Sequence, residues 1–167
     1  MLAGKTMKGA AGLLVVVLLW SAAAAAAEFA LPDLDGRIHR LSQYEGRWVV
    51  VNYWATWCPP CLDEIPELVE FHEAHAPRVV VLGVNYEDTG LDHLRRFVDE
   101  YFISYPVLRE EPDGHTFAGR LLGLPTTYLV SPEGRVVDTR LGGITRRSLE
   151  DLLRRHGALP ARQEARR

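Results

Sequence analysis

Cysteine is scarce in this chain and lysine is nearly missing. Only two cysteines occur in 167 residues, so at most one internal disulfide can form, and both lie in Trp57-Cys58-Pro59-Pro60-Cys61. Lysine is confined to Lys5 and Lys8; beyond Ala27 every base is arginine, 17 against 22 carboxylates, a formal charge of −5. That balance excludes a nucleic-acid role. The arginines stand singly and in pairs without forming a patch, so the lack of lysine reads as codon bias. No repeat or low-complexity segment follows Ala27. What remains is about 140 residues, enough for one domain with a substantial core and too few for two.

The first 27 residues read as a secretory signal. Lys5 and Lys8 supply a positive start, Gly9 to Trp20 an apolar stretch, and Ser21 to Ala27 a small-residue tract with several A-x-A sites. Uncleaved, Gly9 to Ala27 is long enough to anchor the chain at the lower limit of roughly 17 to 20 residues, giving membrane contact only in that case. Cleavage is favoured because a run of alanines is weakly hydrophobic. Either way, the domain at 28–157 is expected in the periplasm or another extracytoplasmic compartment, with 158–167 as a flexible polar tail.

Along the domain, turn signals at Pro32-Asp33 and Asp35-Gly36 predict a hairpin within Phe29 to Tyr44 that covers a sheet edge. Arg47 to Trp54 is a β-branched and aromatic run that suits a central strand buried on both faces. From Pro59 to His75, Leu62, Ile65, Leu68, Val69 and His72 recur at helical spacing, with Pro59 at the first position and Pro66 expected to kink the helix. Arg78 to Val84 is a second buried strand, parallel to the first through a right-handed crossover. A helix over Leu91 to Tyr101, a strand at Tyr105 to Leu108 and a short helix over Asp113 to Leu122 follow. Thr126 to Val130 and Val136 to Leu141 flank the turn Ser131-Pro132-Glu133-Gly134 and predict an antiparallel pair. Thr145 caps a last helix through about His156, with Leu149, Leu152 and Leu153 inward and Gly157 ending it.

The cysteine pair carries the chemistry. Two intervening residues let a disulfide close across the first turn of a helix, whose N-terminus stabilises a thiolate through its free N–H groups and dipole. Cys58, on the N-cap side and nearer solvent, is the expected nucleophile, and Cys61, one turn in, resolves the mixed disulfide. Pro59 and Pro60 both lack an N–H. Cys58 therefore has fewer backbone donors, its thiolate is less stabilised, and the potential shifts toward reducing.

A buried strand ending at Trp-Cys-x-x-Cys, a proline five residues after the second cysteine, and a later Gly123-Leu124-Pro125-Thr126 opening a hairpin resemble the thioredoxin fold. The stretch from Val51 to Pro66, the opening Leu31-Pro32-Asp33-Leu34-Asp35-Gly36 and the extra segment between Val84 and Tyr105 resemble its exported TlpA, ResA and DsbE (CcmG) branch. The resemblance implies a thioredoxin-like three-layer α/β/α sandwich with a mixed central sheet and an N-terminal β-hairpin extension. It implies a monomeric protein-disulfide reductase that needs no cofactor or metal. Its substrates would be disulfides in exported proteins, such as apocytochromes c before haem attachment or proteins of copper delivery and oxidase assembly. Electrons would come from a membrane donor of the DsbD or CcdA type.

The resemblance also assigns residues. Cytosolic thioredoxins carry a buried aspartate six residues before the first cysteine; here stands Asn52, which takes no proton. The exported branch offers a glutamate three residues after the second cysteine, here Glu64, on the face of Cys61 and able to take its proton. Glu64 alternatively complements the helix dipole as a first-turn acid, and Glu67 reads as surface. Pro125 resembles the cis-proline beside the disulfide, which would turn the backbone of Leu124 toward an extended substrate. Trp57 flanks the same groove or packs in the core, while Tyr53 and Trp54 belong to the core.

Rival readings meet physical objections. A metal site joining Cys58 and Cys61 to His72 and His75 fails because Cys61 and His72 on one helix are separated by about 16 Å. A thioredoxin-like copper metallochaperone using the cysteines with a distant histidine such as His115 is the alternative, though the related copper-carrier pattern has three residues between its cysteines. A purely structural disulfide across two residues constrains little chain. Nothing resembles the Thr-x-x-Cys pocket of peroxiredoxins, and His39, His93 and His156 read as surface or packing residues.

Overall fold

The computed structural model describes residues 27–161. The expected leader, apart from Ala27, and the end of the tail lie outside the described residues. No helix among the described residues is long and apolar enough to cross a membrane.

Five strands form the central sheet: β3 (Trp48–Trp54), β4 (Val79–Tyr86), β5 (Val107–Glu110), β8 (Thr126–Val130) and β9 (Val136–Leu141). Their order is β5-β4-β3-β8-β9, with β3, β4 and β5 parallel and β8 and β9 antiparallel to their neighbours. From Val49 to Trp54 the run in β3 is buried, because both faces of the sheet are covered. Val50, Asn52 and Trp54 point to one face, while Val49, Val51 and Tyr53 point to the other.

All three helices pack on the face of Val50 and Trp54: α1 (Pro59–His75), α2 (Leu91–Glu100) and α3 (Arg146–Arg155). Both parallel crossovers run in the same direction along the sheet, so right-handedness sends α1 and α2 to the same side. Thr145 caps α3 by accepting from Ser148 N. The helix ends where Gly157, at φ +75°, donates to Arg154 O and Ala158 N reaches Leu153 O. The core extends two residues past the expected end at 157, since Leu159 is buried among these side chains.

The opposite face is covered by extended and turn structure. The hairpin of β1 (Ala30–Pro32) and β2 (Ile38–Arg40) leads into a 3-10 turn at Leu41–Tyr44. An Asp33–Leu108 bridge ties this hairpin to the edge strand β5, the edge cover that the turn signals predict. The helix expected over Asp113 to Leu122 is instead a small hairpin of β6 (His115–Thr116) and β7 (Gly119–Arg120). A helix would hold Gly119 in its interior, at a cost of about 1 kcal/mol, and Gly114 in its first turn. The hairpin lets them take φ +86° and +110°. It also sends Phe117 among Phe29, Tyr53 and Tyr128, at ring distances of 5.4, 6.3 and 5.3 Å. β5 begins at Val107, two residues later than expected, because Pro106 has no N–H for the ladder.

Candidate active site

β3 carries the chain straight into Ala55-Thr56-Trp57 and the cysteine pair. That loop is held from β4: Glu87 accepts from Thr56 N at 2.8 Å and from Thr56 Oγ1 at 3.1 Å, while Asn85 Nδ2 donates to Glu87 at 2.7 Å. No motif in the sequence marks Glu87, because its partner lies 31 residues earlier. Cys58 is the N-cap of α1 in an extended conformation, Pro59 and Pro60 fill the first two helical positions, and no donor reaches the Cys58 side chain from the helix. Cys61 N and Leu62 N donate to Cys58 O at 3.0 and 3.2 Å, closing the turn that brings the cysteines to a Cα separation of 5.2 Å. They are joined as a disulfide. Cys58 retains 3 % exposure against none for Cys61.

Glu64, one turn beyond Cys61, is 2 % exposed and is no surface first-turn acid. Asn52 Nδ2 donates to its Oε1 at 2.7 Å, and Ile144 N, from the loop before α3, donates to its Oε2 at 2.9 Å. Asn52 also donates to Thr127 Oγ1 of β8 at 3.1 Å. Burial pushes the Glu64 carboxyl up to about 7, with these two hydrogen bonds holding it back. A buried carboxyl that titrates near neutrality beside a dithiol can take or give a proton at working pH.

Trp57 is 67 % exposed, which decides between its two expected placements. It lines a groove of about 480 Å³ together with Glu87, Asp88, Pro112, Leu122 and Leu124. The Leu124–Pro125 peptide is cis, and the buried Pro125 accepts from Gly142 N at 2.8 Å. Trp57 and Leu124 thus share one groove, while Pro60 and Glu64 border a smaller cleft with Gly143 and Ile144.

Glu67, expected at the surface, is otherwise engaged, as are two histidines of α1. Glu67 is half-buried and accepts from Arg146 N at 2.7 Å, satisfying a free amide at the start of α3. His75 pairs with Glu150 at 3.1 Å and lies 4.6 Å from the Phe71 ring, and His72 is half-buried against Tyr105. These contacts come from α3 and from the approach to β5, which helical periodicity in α1 alone does not reveal. His115 is largely exposed, and among the described residues no three His, Cys, Asp or Glu side chains converge as a metal site.

Residues 22–139 match the AhpC/TSA family. The thiol-disulfide oxidoreductase ResA of Geobacillus thermodenitrificans is 33% identical over 129 residues, 77% of this chain and 74% of the relative. A DsbF homologue from Corynebacterium diphtheriae superposes with a TM-score of 0.70 at 27% identity, covering 79% of this chain and 86% of that one. A secreted thiol-disulfide isomerase from Corynebacterium glutamicum gives 0.65 at 27% identity, covering 77% and 81%. The mixed sheet, the helix opening at the dithiol and these likenesses agree: the chain belongs to the AhpC/TSA family, with a thioredoxin-like fold, and is a thiol-disulfide oxidoreductase of the ResA type.

Proposed function

We propose that this protein works outside the cytoplasm as a reductase of disulfides in exported proteins, of the kind found in apocytochrome c maturation or in copper-site and oxidase assembly. The observation that carries the reading is the pair of prolines at the first two positions of α1, the second of which removes an N–H that could serve the Cys58 thiolate. A thiolate with less support makes the reduced state a better electron donor. Export is supported by the leader pattern and by the secreted relative.

The reaction runs in two displacements. The Cys58 thiolate attacks a substrate disulfide seated along Trp57 and Leu124, forming a mixed disulfide and releasing one substrate thiolate. Cys61 then gives its proton to Glu64 and attacks Cys58 Sγ, forming the Cys58–Cys61 bond and releasing the second substrate thiolate. Two electrons pass to the substrate, and the substrate thiolates take up protons, one returned from Glu64. A membrane thiol donor of the DsbD or CcdA type restores the dithiol.

A Cys61→Ser variant tests this. It is expected to accumulate mixed disulfides through Cys58 with exported proteins, and the wild-type potential is expected well below the roughly −120 mV of a strong protein oxidant. A potential near that value overturns the donor assignment.

A further inference from the structure

Beneath α1, the apolar core contains polar atoms that nothing among the described residues satisfies. Trp54 Nε1, Tyr105 Oη and His72 Nδ1 are buried without a hydrogen-bond partner. Each such group costs about 1–3 kcal/mol when left unpaired, so three together would offset a large part of a typical stability of roughly 5–15 kcal/mol.

They are neighbours. A Cβ at Gly83 would stand 2.7 Å from Tyr105 Cε2 and 3.1 Å from Trp54 Nε1, so the phenol edge and the indole N–H border the same point against the backbone of β4. The His72 ring lies edge-on to Tyr105 at a centroid distance of 6.2 Å. Burial holds the His72 imidazole below its usual value, which favours the neutral ring, whose unprotonated nitrogen is an acceptor. The fourth member is Glu64, which is bonded to Asn52, two residues before Trp54 on the same face of β3; burial pushes the Tyr105 phenol up, and the charge of Glu64 adds to that. The other groups around Glu64 are already committed: Asn52 of β3 and the Ile144 amide bond to it, and Thr127 of β8 bonds to Asn52. On α1 its titratable neighbours are Cys61, the exposed Asp63, and Glu67, which serves Arg146.

We propose that Tyr105 Oη, Trp54 Nε1 and His72 Nδ1 hold buried water that joins the Glu64 carboxyl to this group and, through the half-buried His72, to solvent. Proteins carry about one buried water per ~27 residues, placed where otherwise unsatisfied polar groups converge. Tyr105 then acts as a positioning residue: its hydroxyl orients the water so that a proton of the water faces ionised Glu64. The Glu64 proton gains an exit on the helix-covered face of the sheet. The substrate groove borders Tyr86 and Leu121, which pack on the opposite face, so a docked substrate leaves this exit open.

The link to exchange rests on Glu64 as the proton acceptor proposed above; the test does not. In the oxidised full-length protein without substrate, the ¹³C-carboxyl titration of Glu64 is expected to move to higher pH by about one unit in Tyr105→Phe, a roughly tenfold tighter proton. The wild-type Trp54 indole N–H is expected to show a cross-peak to long-lived water, lost in the variant. An unchanged midpoint or an absent wild-type cross-peak overturns the proposal, and the cross-peak alone decides if Tyr105→Phe fails to fold. A merely structural Tyr105 would lower thermal stability and leave the Glu64 midpoint in place. Failure here leaves the reductase reading intact, whereas an unaltered exchange rate in Glu64→Gln removes the acceptor role and leaves the water site standing.

Discussion

Asn52 Nδ2 donates a 2.7 Å hydrogen bond to Glu64 Oε1, joining the middle of β3 to the first turns of α1 beneath the disulfide. The amide cannot compete for a proton, so it leaves Glu64 as the titrating group and stabilises its anion. In Asn52→Ala the buried carboxyl loses one of its two donors. Its midpoint is expected to rise above about 7, and stability at pH 8 to fall by about 1–3 kcal/mol, with a smaller loss at pH 5 where Glu64 is protonated. Urea unfolding at the two pH values measures both. Equal losses at both would show that the bond does not favour the anion.

Glu64 also sets a pH dependence of its own. Its folded-state value, about 7, lies above the usual 4.5, so the native state holds a proton that the unfolded chain releases between those values. Stability from this group is therefore full below pH 4.5 and is lost as pH rises through about 7, a difference of about 3 kcal/mol. Subtracting the stability profile of Glu64→Gln from that of wild type removes the other titrating groups. The difference is expected to slope downward across that window and to flatten above it. A flat difference would mean that Glu64 titrates normally.

Local signals explain why so much of this architecture could be read in advance. The uniform β3 run, the helical spacing from Leu62 onward and the turn at Ser131 to Gly134 are encoded within a few residues of where they act. The surroundings of Glu64 are not: its donors are Asn52, 12 residues earlier, and Ile144, 80 residues later. On α1 alone Glu67 reads as surface; α3, which lies much later in the chain, brings Arg146 N to Glu67 and Glu150 to His75. The segment over Asp113 to Leu122 misleads for another reason. Its apolar spacing suits a helix, but two glycines and the aromatic neighbours of Phe117 decide the outcome.

Glu87 is the residue with the least sequence signature and a direct structural consequence. Its carboxylate takes both the amide and the hydroxyl of Thr56, two residues before Cys58. Glu87→Ala leaves Thr56 N and Asn85 Nδ2 without their acceptor, and the expected loss is about 1–3 kcal/mol. Because the loop that presents Trp57 and Cys58 is released, the exchange rate should fall as well. Glu87→Gln, which keeps an accepting oxygen, should recover part of both. Thermal unfolding and reduction of a disulfide peptide report the two effects; a loss of stability with unaltered exchange would confine Glu87 to holding the fold.

The two prolines of the Cys58-Pro59-Pro60-Cys61 turn are not equivalent. An N-cap side chain accepts from the N–H of the second or third helical residue. With Cys58 as N-cap, those positions are Pro60 and Cys61, whereas Pro59 occupies the first. Restoring an N–H at Pro60 therefore adds a donor aimed at the Cys58 thiolate, and restoring one at Pro59 does not. A hydrogen bond to a charged group is worth about 1.5–3 kcal/mol, which converts to about a ten- to hundredfold change in the dithiol–disulfide equilibrium, roughly 30–60 mV toward oxidising. Pro60→Ala is expected to show that shift together with a lower Cys58 thiol midpoint, followed by thiolate absorbance. Pro59→Ala should change both far less. If the two variants shift equally, helix-wide effects and not the missing donor set the potential; if neither shifts, the prolines do not make this protein a reductant.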